Sequence, residues 1–145
     1  MNRRNFIYLG AAGSTLSLIT PQLLIAADAP KLVGAGGLFY TKDAPGHWKG
    51  KEAGHLPQMA IEKVDGKLKV TVTTEHVMKF HEHYIVKHQL LDQDLQFVAE
   101  KMFTDPEKDQ DPTSTHELAD YKGEVIYALS VCNKHDAWLS MMKIG

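Results

Sequence analysis

The sequence predicts an all-β protein, built as an antiparallel β-sandwich. Three observations support this fold class. Short runs of alternating apolar and polar residues recur along the chain. Turn-forming residues separate these runs, and no long segment keeps the 3.6-residue period of an amphipathic helix. At 145 residues, the chain has room for one modest domain.

The clearest element is a β-hairpin centred on Asp65-Gly66. The two flanking runs are 59–64 and 67–73, and apolar residues occupy every second position at the start of the second run. Such alternation is typical of a strand with one buried face. An Asp-Gly pair supplies the positive φ angles that a tight two-residue turn requires, so this segment is predicted to be a hairpin.

The rest of the chain adds further strands and one long loop. Four short apolar runs predict strands over 84–91, 96–103, 125–131 and 138–144. The polar stretch 104–115 contains Pro106 and Pro112 and is predicted to be a loop. Several short antiparallel strands joined by turns favour a sandwich over other all-β arrangements.

The first 29 residues predict an export signal. Arg3 and Arg4, the only arginines of the protein, precede an apolar run that ends in small residues at 26–29. Paired arginines of this kind are typical of a twin-arginine signal, whose partner is the twin-arginine export machinery. We therefore expect cleavage, a periplasmic location and a mature domain over 30–145. The alternative is an uncleaved anchor, which is disfavoured by the residues that interrupt the apolar run, Gly10, Gly13, Ser14, Ser17 and Pro21.

Composition excludes some classes of protein. There are 16 basic and 18 acidic residues, a net charge of −2, and the lysines are dispersed, so no nucleic-acid footprint is present. The single cysteine excludes an internal disulfide framework. Eight histidines are many for this length, and histidine is the commonest metal ligand.

Cys132 and His135 form the sharpest local motif. They lie three residues apart, directly after the apolar run 125–131. A tight turn at this point presents a thiolate and an imidazole to one metal ion. The alternative is a buried thiol beside a surface histidine.

Two upstream segments carry further candidate ligands. His76, His81 and His83 fall within eight residues. In an extended chain His81 and His83 share a face, whereas a loop would bring His76 and His83 together. His55 precedes Leu56-Pro57 and is the remaining candidate.

Taken in order, these segments resemble motifs of the superoxide reductases, the neelaredoxin and desulfoferrodoxin family. The matching residues are Trp48-Lys49-Gly50 with His55-Leu56-Pro57, then His76 and Met78 with Glu82-His83-Tyr84-Ile85, and finally the segment 127–138 around Cys132-Asn133-Lys134-His135. The last motif is the most specific.

The resemblance implies an immunoglobulin-like β-sandwich with one mononuclear iron that reduces superoxide to hydrogen peroxide. By position, the implied iron ligands are His55, His76, His83 and His135, with Cys132 as the axial thiolate. A second iron site of four cysteines is excluded, so the electron must come from a separate donor protein. Whether the chain forms a homo-oligomer stays open.

The chain departs from the family pattern at two places. The family has Glu-Lys directly before its first histidine, where this chain has Ala53-Gly54. Lys51 and Glu52 come two residues earlier, in reversed order, and are the predicted catalytic pair. The second departure is that His76 and His83 are seven residues apart instead of six, which leaves His81 as an alternative ligand.

Two other functions compete with the reductase. One is a non-enzymatic iron- or copper-binding protein for electron transfer or an accessory role on the same fold. The other is a structural zinc site, which needs only four ligands. The remaining histidines are predicted to lie outside the site, with His88 on the solvent face of its strand.

Overall fold

The computed structural model describes residues 32–145, so the predicted signal 1–29 lies outside the described residues. The described chain contains seven strands, with two short 3₁₀ turns before them. The strands are β1 (Gln58–Val64), β2 (Lys67–Thr73), β3 (Ile85–Leu91), β4 (Phe97–Met102), β5 (Thr113–Leu118), β6 (Val125–Cys132) and β7 (Asp136–Lys143). No helix within 32–145 is long and apolar enough to cross a membrane.

The strands form two antiparallel sheets, which confirms the predicted all-β sandwich. One sheet has the order β1-β2-β5 and the other has the order β4-β3-β6-β7. Side chains from both sheets share one apolar core, and burying them against each other holds the layers together. The buried members are Leu68, Val70, Val72 and Leu118 from the first sheet, and Leu90, Ile126 and Ala128 from the second.

The predicted hairpin is present with the predicted turn. Val64 pairs with Lys67, which leaves Asp65 and Gly66 as a two-residue connection. Both turn residues have positive φ angles, 50° and 75°. This is the left-handed backbone that Asp-Gly favours.

Replacing Gly66 by alanine is expected to lower the free energy of unfolding by about 1 kcal/mol, because an L side chain is strained at positive φ. A Cβ at this position would meet no atom within 4 Å, so the loss is conformational and not steric. Urea unfolding measures it. Asp65→Asn is the matched control, since asparagine tolerates this backbone and should leave stability unchanged.

The prediction of a loop over 104–115 is wrong at its end. Residues 113–115 belong to β5, which pairs with β2. Ser114 points into the interior and is only 4% exposed. Because this inward residue is polar, the segment lacks the apolar alternation by which a strand is predicted from sequence. The strand forms because β2 supplies its backbone partners, and the buried serine finds hydrogen bonds.

The prediction for His88 is also wrong. Its side chain is fully buried in β3 instead of lying on a solvent face. The ring is accommodated because both nitrogens have hydroxyl partners, Thr74 on one side and Ser114 on the other.

One end of the sandwich gathers all the predicted ligands. The end of β2 lies beside the start of β1, and the end of β6 lies beside the start of β3. His55 precedes β1, whereas His76 and His83 lie in the connection from β2 to β3. Cys132 ends β6 and is followed by the turn into β7, so three separate segments meet there.

Candidate metal centre

Five side chains converge at this end of the sandwich. Each offers one donor atom, and the five atoms all lie within 4.8 Å of one another. The group consists of His55, His76, His83, Cys132 and His135, which are the five residues predicted as ligands. His81, the alternative, is exposed and lies outside the group.

His55 is held by the 3₁₀ turn Glu52–Gly54 that precedes it. Its Nδ1–H donates to the carbonyl of Lys51 at 2.7 Å, so Nε2 keeps its lone pair. That nitrogen lies 2.9 Å from Nδ1 of His135. Burial is the main cause that lowers the pKa of His55, to about 4, so the ring is neutral at neutral pH.

A turn between β2 and β3 brings His76 and His83 together. The N–H of Lys79 donates to the carbonyl of His83 at 3.0 Å and closes the loop between them. His76 donates from Nδ1 to the carbonyl of Val77 at 2.5 Å, so its Nε2 faces Nε2 of His83 at 3.1 Å. The seven-residue spacing is therefore accommodated by this turn, in which His81 has a φ of 68°.

Cys132 and His135 face the group from the turn between β6 and β7. The sulfur lies 3.8 Å from Nε2 of His76 and 3.7 Å from Nδ1 of His135. The backbone N–H of Lys134 points at the sulfur at 3.4 Å. The sulfur therefore accepts a hydrogen bond from a backbone group of its own turn.

Asn133 ties this turn to the segment that carries His83. Its Oδ1 accepts the N–H of Tyr84 at 2.9 Å, and its Nδ2 donates to the carbonyl of Glu82 at 3.0 Å. These two bonds fix the distance between the last two ligand segments. Asn133 was not predicted to have a side-chain role, although its place inside the Cys132–His135 motif was a signal for one.

The tryptophans support the ligand rings from outside. Trp48 meets His135 edge-on with the ring centroids 4.7 Å apart, and its Nε1–H donates to Asp136 at 2.8 Å. The indole of Trp138 lies against His55, and its Nε1–H donates to the carbonyl of His135 at 2.8 Å. Both rings therefore restrict the orientation of a candidate ligand.

The donor set fits a transition-metal ion. His55 and His76 each give their only ring hydrogen to a carbonyl, so their inward nitrogens carry lone pairs. Burial lowers the pKa of His76, His83 and His135, which favours the neutral form that binds metals. Imidazole nitrogen with thiolate sulfur is suited to iron, copper or zinc.

The predicted catalytic pair lies beside the group but does not enter it. The Glu52 carboxylate accepts the N–H of Gly50 at 2.7 Å and so belongs to its own turn. Backbone hydrogen bonds of this turn lower the pKa of Glu52. Lys51 is exposed. Burial is the main cause of the lowered pKa of His83 and His135, and the charge of Lys51 is a further cause for both rings. Lys134 contributes to the same two rings.

The fold is similar to those of solved superoxide reductases. A variant of the superoxide reductase (neelaredoxin) from Ignicoccus hospitalis is 25% identical with a TM-score of 0.62, covering 74% of this chain and 93% of that one. A putative superoxide reductase from Thermotoga maritima is 24% identical with a TM-score of 0.56, covering 74% and 92%. The superoxide reductase from Nanoarchaeum equitans is 19% identical with a TM-score of 0.56, covering 64% and 94%.

The family assignment rests on the sequence as well as the fold. No curated protein matches the chain in sequence. The family model described as desulfoferrodoxin matches residues 47–141, which include all five members of the candidate metal centre. The chain therefore belongs to the desulfoferrodoxin family.

Proposed function

We propose that the protein is a periplasmic superoxide reductase with one iron ion. It converts superoxide, one electron from a separate donor protein and two protons into hydrogen peroxide. The observation that carries this proposal is the convergence of four imidazoles and one thiol, with donor atoms within 4.8 Å. Five donors exceed the four that a structural zinc site uses, which favours iron.

The candidate ligand residues have unequal exposure, so the group is accessible to solvent from one side only. Cys132 and His55 are only 3% and 5% exposed, whereas His76, His83 and His135 are half-buried. Small anions therefore reach the group from the side of these three rings. Iron held by these five residues would supply the electron for superoxide, and the thiolate of Cys132 would raise the electron density on that iron.

Two lysines place positive charge beside the half-buried rings of the site. The charges of Lys51 and Lys134 both act on His83 and His135. A positive potential concentrates an anionic substrate at the site and raises its rate of association. Lys51 thus performs in this chain the steering for which the family uses the lysine next to its first histidine. Glu52 holds the turn that carries Lys51.

Spectroscopy and kinetics on the iron-loaded protein test the proposal. We expect a visible charge-transfer band in the oxidised state that bleaches on reduction, and a fast second-order reaction with superoxide generated by pulse radiolysis. A colourless protein that binds zinc in preference to iron would refute the redox function. An iron band without a fast reaction would favour the electron-transfer or accessory role instead. Fractionation of cells that express the full chain tests the periplasmic location.

Lys51→Ala is expected to lower the rate constant with superoxide by about ten-fold and to weaken its dependence on ionic strength, because steering is lost. Stopped-flow or pulse-radiolysis measurements at several salt concentrations provide the test. The matched control is Lys122→Ala, an exposed lysine after β5, at the end of the sandwich away from the metal centre. Equal rates for wild type and Lys51→Ala would assign the steering to another cation.

A further inference from the structure

A buried polar network crosses the sandwich outside the candidate metal centre. Its core consists of four side chains that are at most 4% exposed, two from each sheet or its end: Thr74 and Ser114 on one side, His88 and Ser130 on the other. His116 on β5 extends the network towards the surface. Buried polar atoms in such a core need hydrogen-bond partners, and each buried side-chain nitrogen or oxygen of this network has at least one.

The hydrogen bonds of this network run in one direction. The hydroxyl of Thr74 donates to Ser130 Oγ at 2.9 Å, so the oxygen of Thr74 accepts Nε2–H of His88, also at 2.9 Å. Burial lowers the pKa of His88 to about 4, which keeps the ring neutral with one donor and one acceptor. Nδ1 of His88 therefore accepts the hydroxyl of Ser114 at 3.0 Å.

Two members of the network are connected to metal-site residues. The carbonyl of Thr74 accepts the backbone N–H of His76 at 2.8 Å. Ser130 lies two positions before Cys132 on β6, and both point inward. The N–H of Thr74 donates to the carbonyl of Pro112 at 3.1 Å, so Thr74 is fixed by its backbone as well as by its side chain.

We propose that Thr74 is a positioning residue that holds His76 at binding distance from Cys132. His76 follows β2 of one sheet and Cys132 ends β6 of the other, and their donor atoms lie 3.8 Å apart. The side chain of Thr74 links the two sheets through its hydrogen bonds to His88 and Ser130. This link lies close in sequence to both His76 and Cys132. The inference rests on the proposed function only in taking the five residues as ligands of one metal ion.

The physical reason is the demand of buried polar groups for partners. Valine has nearly the shape of threonine but no hydroxyl, so Thr74→Val leaves the N–H of His88 and the hydroxyl of Ser130 without their partner. An unsatisfied buried group is unfavourable, and the sheets relax to admit water or other partners. That movement displaces His76 relative to Cys132.

The experiment compares wild type, Thr74→Val and Thr74→Ser. Each protein is titrated with Fe(II) and with Co(II), and the thiolate-to-metal absorption is recorded. For Thr74→Val we expect a loss of affinity of about ten-fold, the lower end for partners that orient ligands, with a shifted absorption maximum. Thr74→Ser keeps the hydroxyl and should restore both. Thr71→Val is the control, because Thr71 lies on the outward face of β2, the strand that Thr74 follows.

Circular dichroism establishes that each variant is folded before titration. If Thr74→Val does not fold, Ser130→Ala replaces it, since this change removes the acceptor but leaves Thr74 in place, and a smaller shift of the same absorption is expected. Unchanged affinity and absorption in a folded variant would overturn the positioning role of Thr74. Failure of the wild type to bind either metal with thiolate absorption would instead overturn the proposed metal site.

Discussion

Cys132→Ser is expected to abolish the visible charge-transfer band of the iron-loaded protein and to lower its rate with superoxide by at least about 100-fold, beyond the loss for a residue that only orients a ligand. Cys132 supplies the only sulfur of the candidate centre, 3.7 Å from His135 and 3.8 Å from His76. A serine hydroxyl is a poor replacement, because it is not deprotonated near neutral pH and donates little electron density.

The substitution isolates the chemistry of the sulfur. Serine differs from cysteine by one atom, and the N–H of Lys134 that points at the sulfur retains an acceptor. The strand and its core contacts should therefore persist, as circular dichroism can show. His81→Ala is the matched control, since His81 belongs to the same ligand-bearing loop as His83 but is exposed and outside the group. A Cys132→Ser protein that keeps the band would exclude the thiolate as a ligand.

Acid is expected to destabilise the protein through His88. The pKa of this ring is about 4 in the folded state and about 6.5 when exposed, since burial disfavours its charged form. Below pH 6.5, His88 binds a proton in the unfolded chain but stays neutral in the folded chain until the pH approaches 4. The free energy of unfolding therefore falls as the pH falls. The contribution of His88 is fully present above pH 6.5, and about 3 kcal/mol of it is lost on reaching pH 4.

His88→Gln tests this contribution. The glutamine amide can donate and accept a hydrogen bond but does not titrate, so the variant should show a flatter loss of stability between pH 7 and 4 in urea unfolding. Acid acts on the rest of both chains alike, and the difference between them therefore isolates His88. Parallel curves for wild type and His88→Gln would contradict the prediction.

Local patterns were sufficient for the strands whose inward residues are apolar. The alternation in β2 and the Asp65-Gly66 turn predicted the first hairpin, because burial and backbone strain act on near neighbours in sequence. β5 was missed since its inward Ser114 is polar and is retained by a partner on another strand, His88. A partner of this kind is invisible until the sheets are assembled.

The candidate site divides in the same way. Motif spacing singled out Cys132 and His135, and motif context favoured His83 over His81. Which ring nitrogen faces the centre depends on carbonyls such as that of Lys51, and the approach of the two loops depends on Asn133. These are tertiary contacts that a linear pattern does not contain. The ligand roles, the catalytic pair and the export signal stay predictions.

The donors of the candidate metal centre come from three segments between His55 and His135, and both sheets contribute. An ion bound there would cross-link segments that lie about eighty residues apart in the chain. Closing a loop of this length lowers the conformational entropy of the unfolded chain, which is equivalent to several kcal/mol of free energy. Metal binding would thereby raise the free energy of unfolding. A chain without the ion would unfold more easily, and its single cysteine, which is buried in the fold, would then be exposed to oxidation.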